Sequence, residues 1–125
     1  MIYRKSPDLE PQLFEPLKSW GQFTRYLEIG DDAFATRHID VFANGCALRY
    51  DRVHWVDGFG TLAEMRYDAK KWAKWWGPSV AIPAEEFEAV WRAAQSSPTW
   101  EEQARTARMS KDGVSPIWLA RRDRA

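Results

Sequence analysis

Arg37-His38-Ile39-Asp40-Val41-Phe42-Ala43-Asn44-Gly45-Cys46-Ala47-Leu48-Arg49-Tyr50-Asp51 is the stretch that decides the fold. Two runs of alternating apolar and polar residues flank Asn44-Gly45, a dipeptide that supplies positive φ at both central positions of a two-residue type I′ hairpin. Counting outward from that turn pairs Ala43 with Cys46, Phe42 with Ala47, Val41 with Leu48, Asp40 with Arg49, Ile39 with Tyr50 and His38 with Asp51. One face then carries Ile39, Val41, Leu48 and Tyr50. The other sets Asp40 against Arg49 and His38 against Asp51, opposite charges on a solvated face worth roughly 0.2–1 kcal/mol per pair.

Upstream, Phe23 to Ile29 reads as a further strand, closed by the turn Gly30-Asp31-Asp32. The expected meander therefore has strands near 23–29, 34–43 and 46–55. Residues 1–21 hold Pro7, Pro11 and Pro16 among apolar side chains and read as a lead-in strap, because proline interrupts both helix and ladder. Downstream, Thr61-Leu62-Ala63-Glu64 has the form of a capping box. Leu62, Met65, Ala69, Trp72 and Trp76 form one helical stripe that stops at Gly77-Pro78, which predicts a helix over 62–76. A second helix is predicted near 84–95, with Pro83 and acids at its start and Phe87, Val90, Trp91 and Ala94 as its buried face. Thr99-Trp100-Glu101-Glu102 repeats the capping-box pattern and opens a third, weaker helix to about Met109. The basic tail, 110–125, is expected to be mobile unless Ile117, Trp118 and Leu119 dock. The expectation is a single α+β domain over 1–125 with its core at 23–95. A three-stranded or slightly larger antiparallel meander packs there against two to three C-terminal helices.

The chain has 125 residues, 18 basic against 18 acidic, with eight Trp, six Phe and four Tyr. That aromatic content at zero net charge excludes intrinsic disorder. No apolar run reaches the 18 residues a membrane span needs, and no apolar stretch follows the N-terminal charges, so the cytoplasm is the expected address. One cysteine and two histidines cannot fill an ordinary structural zinc site, and neither dinucleotide nor P-loop glycine spacing occurs. No cofactor or metal is expected. Within the expected hairpin Cys46 and His38 would lie about 17 Å apart, and His54 about 26 Å from Cys46 on the face opposite His38. No Cys/His nucleophilic pair forms in that geometry. The acids read as first-turn partners and turn residues, so no catalytic residue is assigned.

Lys70-Lys71-Trp72-Ala73-Lys74-Trp75-Trp76 is the least ordinary segment. Lysines interleaved with aromatics suit single-stranded nucleic acid, but Trp72 and Trp76 fall in the core stripe. Trp75 falls about 90° from its centre, beside Lys71. An exposed Trp among charges at zero net charge fits a protein hot spot better than a nucleic-acid groove. The expected partner surface is Asp40, Arg49 and Asp51 on the outer sheet face, with Lys71 and Trp75.

Three stretches carry a family resemblance: Tyr26-Leu27-Glu28, then Arg37 to Gly45 followed by Tyr50-Asp51, and Glu86-Phe87-Glu88-Ala89-Val90-Trp91. Over residues 23–94 the chain resembles a family of small uncharacterised bacterial domains, a domain of unknown function. The resemblance implies a compact α+β domain without an assigned catalytic role. Small families of this look include immunity proteins that neutralise toxins in bacterial competition. The leading expectation is thus a non-enzymatic protein-binding module, with an immunity-type role as the analogy its class offers. A small enzyme or ligand-binding domain with an aromatic-lined pocket is the alternative, and a single-stranded nucleic-acid binder the third. Neither partner identity nor oligomeric state is legible.

Overall fold

A computed structural model describes residues 1–64, 66–68, 70, 71, 74, 78–108, 110, 113–116, 118 and 119. Strands β1 (Ile2–Leu9), β2 (Phe23–Ile29), β3 (Ala35–Phe42) and β4 (Ala47–Asp51) form an antiparallel meander. The short β5 (Val80–Ala81) adds to the far side of β1, giving the order β4-β3-β2-β1-β5. Helices α1 (Ala84–Ala94) and α2 (Trp100–Arg105) complete an α+β fold. No helix among the described residues is long and apolar enough to cross a membrane.

The segment read as a strap contributes a full strand. Pro7 is tolerated in β1 because the register shifts between Ser6 and Leu9, with Asp8 at φ 54°, and at such a bulge the missing amide costs no ladder bond. Only residues 10–22 behave as a strap, pinned by a 3-10 turn at Leu17–Trp20 whose Leu17 and Trp20 pack on the core.

The hairpin forms where expected, but in a register one residue away. Val41 pairs with Ala47, Asp40 with Leu48, Ile39 with Arg49, His38 with Tyr50 and Arg37 with Asp51. Three residues, not two, make the loop: the Phe42 amide donates to the Cys46 carbonyl (2.8 Å) and the Gly45 amide to the Phe42 carbonyl (2.9 Å). Gly45 (φ 92°) takes the left-handed position while Asn44 does not, as in a type I turn followed by a glycine bulge. The Asn44 side chain instead accepts the Cys46 amide at 3.0 Å. The slip separates the expected ion pairs: Asp40 and His38 lie on one face, Arg49 and Asp51 on the other.

Both faces are covered. Phe23, Leu27, Phe42, Leu48 and Tyr50 pack on one side against Trp55, Val56, Leu62 and Trp118. On the other, Ile39 and Ala47 pack against Phe87 and Ala94 of α1, the helix where the sequence places it. Trp118 docks, as the tail condition required, with the Arg52 guanidinium 4.8 Å over its ring; Ile117 and 120–125 lie outside the described residues.

The helix expected over 62–76 does not start at Leu62. The Leu62 amide donates to the Trp55 carbonyl (2.7 Å) and the Ala63 amide to His38 Nδ1 (3.0 Å), while the Thr61 hydroxyl donates to the Trp55 carbonyl (3.0 Å). These partners take the groups a capping box would use, and the described residues of 62–68 are not helical. Helical backbone is found at Lys70, Lys71 and Lys74, with Asp68 accepting the amides of Lys70 and Lys71. Met65, Ala69, Trp72, Trp75 and Trp76 lie outside the described residues.

The edge of β4 is closed by side chains. Ser97 Oγ accepts the Ala47 amide and Thr99 Oγ1 donates to the Ala47 carbonyl, both at 3.0 Å. Gln103 accepts the Arg49 amide (3.3 Å) and donates to the Arg49 carbonyl (3.1 Å). Thr99 therefore serves the sheet instead of capping α2, and the edge offers little template to another strand.

Candidate functional site

On the α1 face the register slip places Arg37 and Arg49 among aromatic rings. The Arg49 guanidinium lies 4.3 Å from the Trp91 ring and 4.4 Å from the Trp100 ring, between the two. Arg37 stands 4.9 Å from Phe87 and 5.0 Å from Trp91, and the His54 ring stacks on Trp100 at 6.0 Å. The result is a ladder of alternating cations and rings, each contact of the kind worth about 0.5–2 kcal/mol. Arg49 Nη1 donates to the Trp91 carbonyl (3.0 Å), while its buried Nε has no hydrogen-bond partner among the described residues. Burial lowers the Arg49 pKa, opposed by Asp51. Arg37 is anchored differently, by Glu28 (2.6 Å) and by Glu88. Its hydrogen bond to Glu28 raises its pKa, against burial. Arg49, Trp91 and Trp100 are all half-buried.

The opposite face holds a buried polar group. Arg25 Nε and Nη2 grip the two oxygens of Asp40 at 2.7 and 2.9 Å. Burial alone would push the Asp40 carboxyl up, but Arg25 and then His38 hold it well below the usual carboxylate range. His38 is 1% exposed, and burial lowers its pKa despite Asp40, 3.4 Å from its Nε2. Tyr50 donates to Asp57 (2.9 Å), and burial, followed by Asp57, raises its phenol. Among the described residues Asp57 accepts from Tyr50, the amides of Phe59 and Gly60, His54 Nε2 and Gln103.

Of the five expected partner-binding residues, the structure brings two together. Arg49 and Asp51 share the ladder face. Asp40 does not join them: it is 4% exposed behind Arg25 on the other face. Lys71 is exposed in helical backbone, and Trp75 lies outside the described residues. His38 pairs with Asp40 and the Ala63 amide, not with Asp51. β4 ends at Asp51 and the chain turns, so the extended spacing to His54 does not hold, and both histidines flank Tyr50, at 5.1 and 5.9 Å. Trp91 and Trp100 went unread as site residues because their helix patterns marked them as a core position and a cap neighbour. The missed signal is an arginine, Arg49, placed by alternation among apolar strand residues, where a buried cation needs a partner.

Comparison with family models, curated proteins and solved structures finds no match for this chain. Among the described residues no three His, Cys, Asp or Glu side chains come together as a metal site.

Proposed function

We propose that the chain is a non-enzymatic protein-binding module that docks through the Trp91–Arg49–Trp100 face. One observation carries this reading: the Arg49 guanidinium is held between two half-buried tryptophans at 4.3 and 4.4 Å. Trp and Arg are the residues that most often dominate binding energy at protein interfaces. Here their side chains are ordered before any partner arrives, which reduces the entropic cost of association. Asp51, Arg37 and Glu88 beside the ladder supply charge for steering and register. The immunity-type role is the sharper form of this reading, in which the partner is a bacterial toxin silenced by the bound chain.

The test is affinity capture from the native host or a competitor, followed by titration of the purified partner against the wild type and the Arg49→Ala variant. The expected outcome is at least tenfold weaker binding by the variant, about 1.4 kcal/mol, with Arg92→Ala on the exposed side of α1 as the silent control. Equal affinities for wild type and Arg49→Ala refute the docking face. A partner with toxic activity that the chain abolishes supports the immunity form.

A further inference from the structure

Behind the ladder, on the other side of the sheet, a cavity of about 200 Å³ opens beneath the strap. Its polar lining is Gln12, Arg25, Asp40, Tyr50 and Thr61, and Leu17, Leu48 and Phe59 supply its apolar flanks. Charge there is already balanced, because each Asp40 oxygen accepts one N–H of Arg25. A guest with net charge would be buried without a counter-charge, which is costly. Hydrogen-bonding capacity is not balanced in the same way. A carboxylate has about four acceptor positions; Arg25 takes two of them and His38 Nε2 faces a third at 3.4 Å. Tyr50 spends its proton on Asp57, so its oxygen is left as an acceptor. A guest that donates therefore finds acceptors in Asp40 and Tyr50. Size sets the remaining limit: an apolar cavity of about 150 Å³ holds benzene, so this one holds a single substituted ring.

We propose that the cavity binds a neutral single-ring amine or amide of the aminopyrimidine or nicotinamide kind. Its N–H edge meets Asp40 and Tyr50, and its ring faces lie against Leu17, Leu48 and Phe59. The site is independent of the docking face and stands or falls separately. The same ring chemistry is presented by a free heterocycle and by a base on a nucleic-acid strand.

The experiment titrates the intact ¹⁵N-labelled chain with 2-aminopyrimidine and with pyrimidine, the same ring without its donors. Saturable shifts of the Gly60 and Thr61 amides are expected with 2-aminopyrimidine, with pyrimidine at least about tenfold weaker, as the loss of a donor to a charged acceptor requires. Equal binding of the two rings overturns the proposal, as does absence of saturable shifts with 2-aminopyrimidine. Gly60→Ala is the protein-side control, since its Cβ would lie 3.2 Å from the Tyr50 hydroxyl oxygen. Its expected effect is loss of the titration in a chain whose amide spectrum remains that of a folded protein, and a folded variant that binds as well as wild type refutes the site. Cytosine and a deoxycytidine oligomer separate the sources. Tighter binding of the oligomer assigns the guest to nucleic acid, and tighter or equal binding of cytosine assigns it to a free ring, each in support of the site.

Discussion

Acidification below neutrality should weaken this fold through His38. The ring is 1% exposed and its Nδ1 accepts the Ala63 amide at 3.0 Å, so protonating it forfeits a hydrogen bond that ties the sheet to the segment over it. Burial, against the pull of Asp40, lowers its pKa from the ordinary 6.5. Below about pH 6.5 the unfolded chain takes up a proton more readily than the folded chain, so stability falls as pH falls, by at most about 1.4 kcal/mol per unit. From pH 7 to pH 5 the loss has a ceiling of about 2 kcal/mol, reached by an imidazole that stays neutral in the fold. Asp40, Glu28 and Glu88 act in a separate window. Their folded pKa values are lowered, so the stability they add is present above their unfolded values near 4 and is lost only as pH falls below that. The assay is urea unfolding at pH 7, 6 and 5 for wild type and His38→Gln, whose amide can still accept from Ala63. With a urea slope of about 1.5 kcal/mol/M, the wild-type midpoint should fall further than that of the variant, by as much as about 1.3 M. Parallel pH profiles would refute the reasoning.

Three further outcomes are expected. Gln103→Leu keeps the volume of a fully buried side chain but strips the Arg49 amide and carbonyl, and Asp57, of partners. It should cost about 3–5 kcal/mol in urea unfolding and speed hydrogen exchange at the Arg49 amide. Asp40→Asn removes the carboxylate charge that Arg25 grips with two hydrogen bonds and should cost about 3–5 kcal/mol, of which the double replacement Arg25→Met with Asp40→Leu should restore most, measured by the same unfolding curves. Gly45→Ala meets open space at φ 92°, so thermal unfolding should register only the left-handed backbone cost, about 1–2 kcal/mol, and Gly45→Asn less.

What the sequence discloses here is local, and what it conceals is decided at a distance. The strand β2, the place of the hairpin and the helix α1 follow from alternation, an Asn-Gly turn and a stripe ending at Ala94, signals complete within ten or so residues. The register did not follow, because Asn44-Gly45 fits a two-residue turn and a three-residue turn equally well, and one residue of difference exchanges the faces of Asp40 and Arg49. The helix start at Thr61 failed for a related reason: its capping groups are claimed by the Trp55 carbonyl and by His38, the latter 25 residues upstream. Of the candidate site, the sequence supplied Arg49 and Asp51. Trp91 and Trp100 came to Arg49 across 42 and 51 positions of chain, a separation over which no periodicity carries information.

Asp57 shows how the two faces are tied together. Its carboxylate, 2% exposed, takes the Tyr50 hydroxyl from the cavity side, and His54 Nε2 and the Gln103 amide at 2.9 Å each from the side of α2. His54 in turn stacks on Trp100, the outer ring over Arg49, and Gln103 holds the peptide groups of Arg49 itself. A buried carboxylate is tolerated only where its acceptor positions are filled, and here filling them aligns the β4 edge, the base of the ladder and the floor of the cavity at once. The expense of burying one charge therefore falls on the positions where a misplaced side chain would spoil recognition. That is the physical reason for placing a hydrogen-bonded polar network, and not another apolar layer, beneath both candidate surfaces.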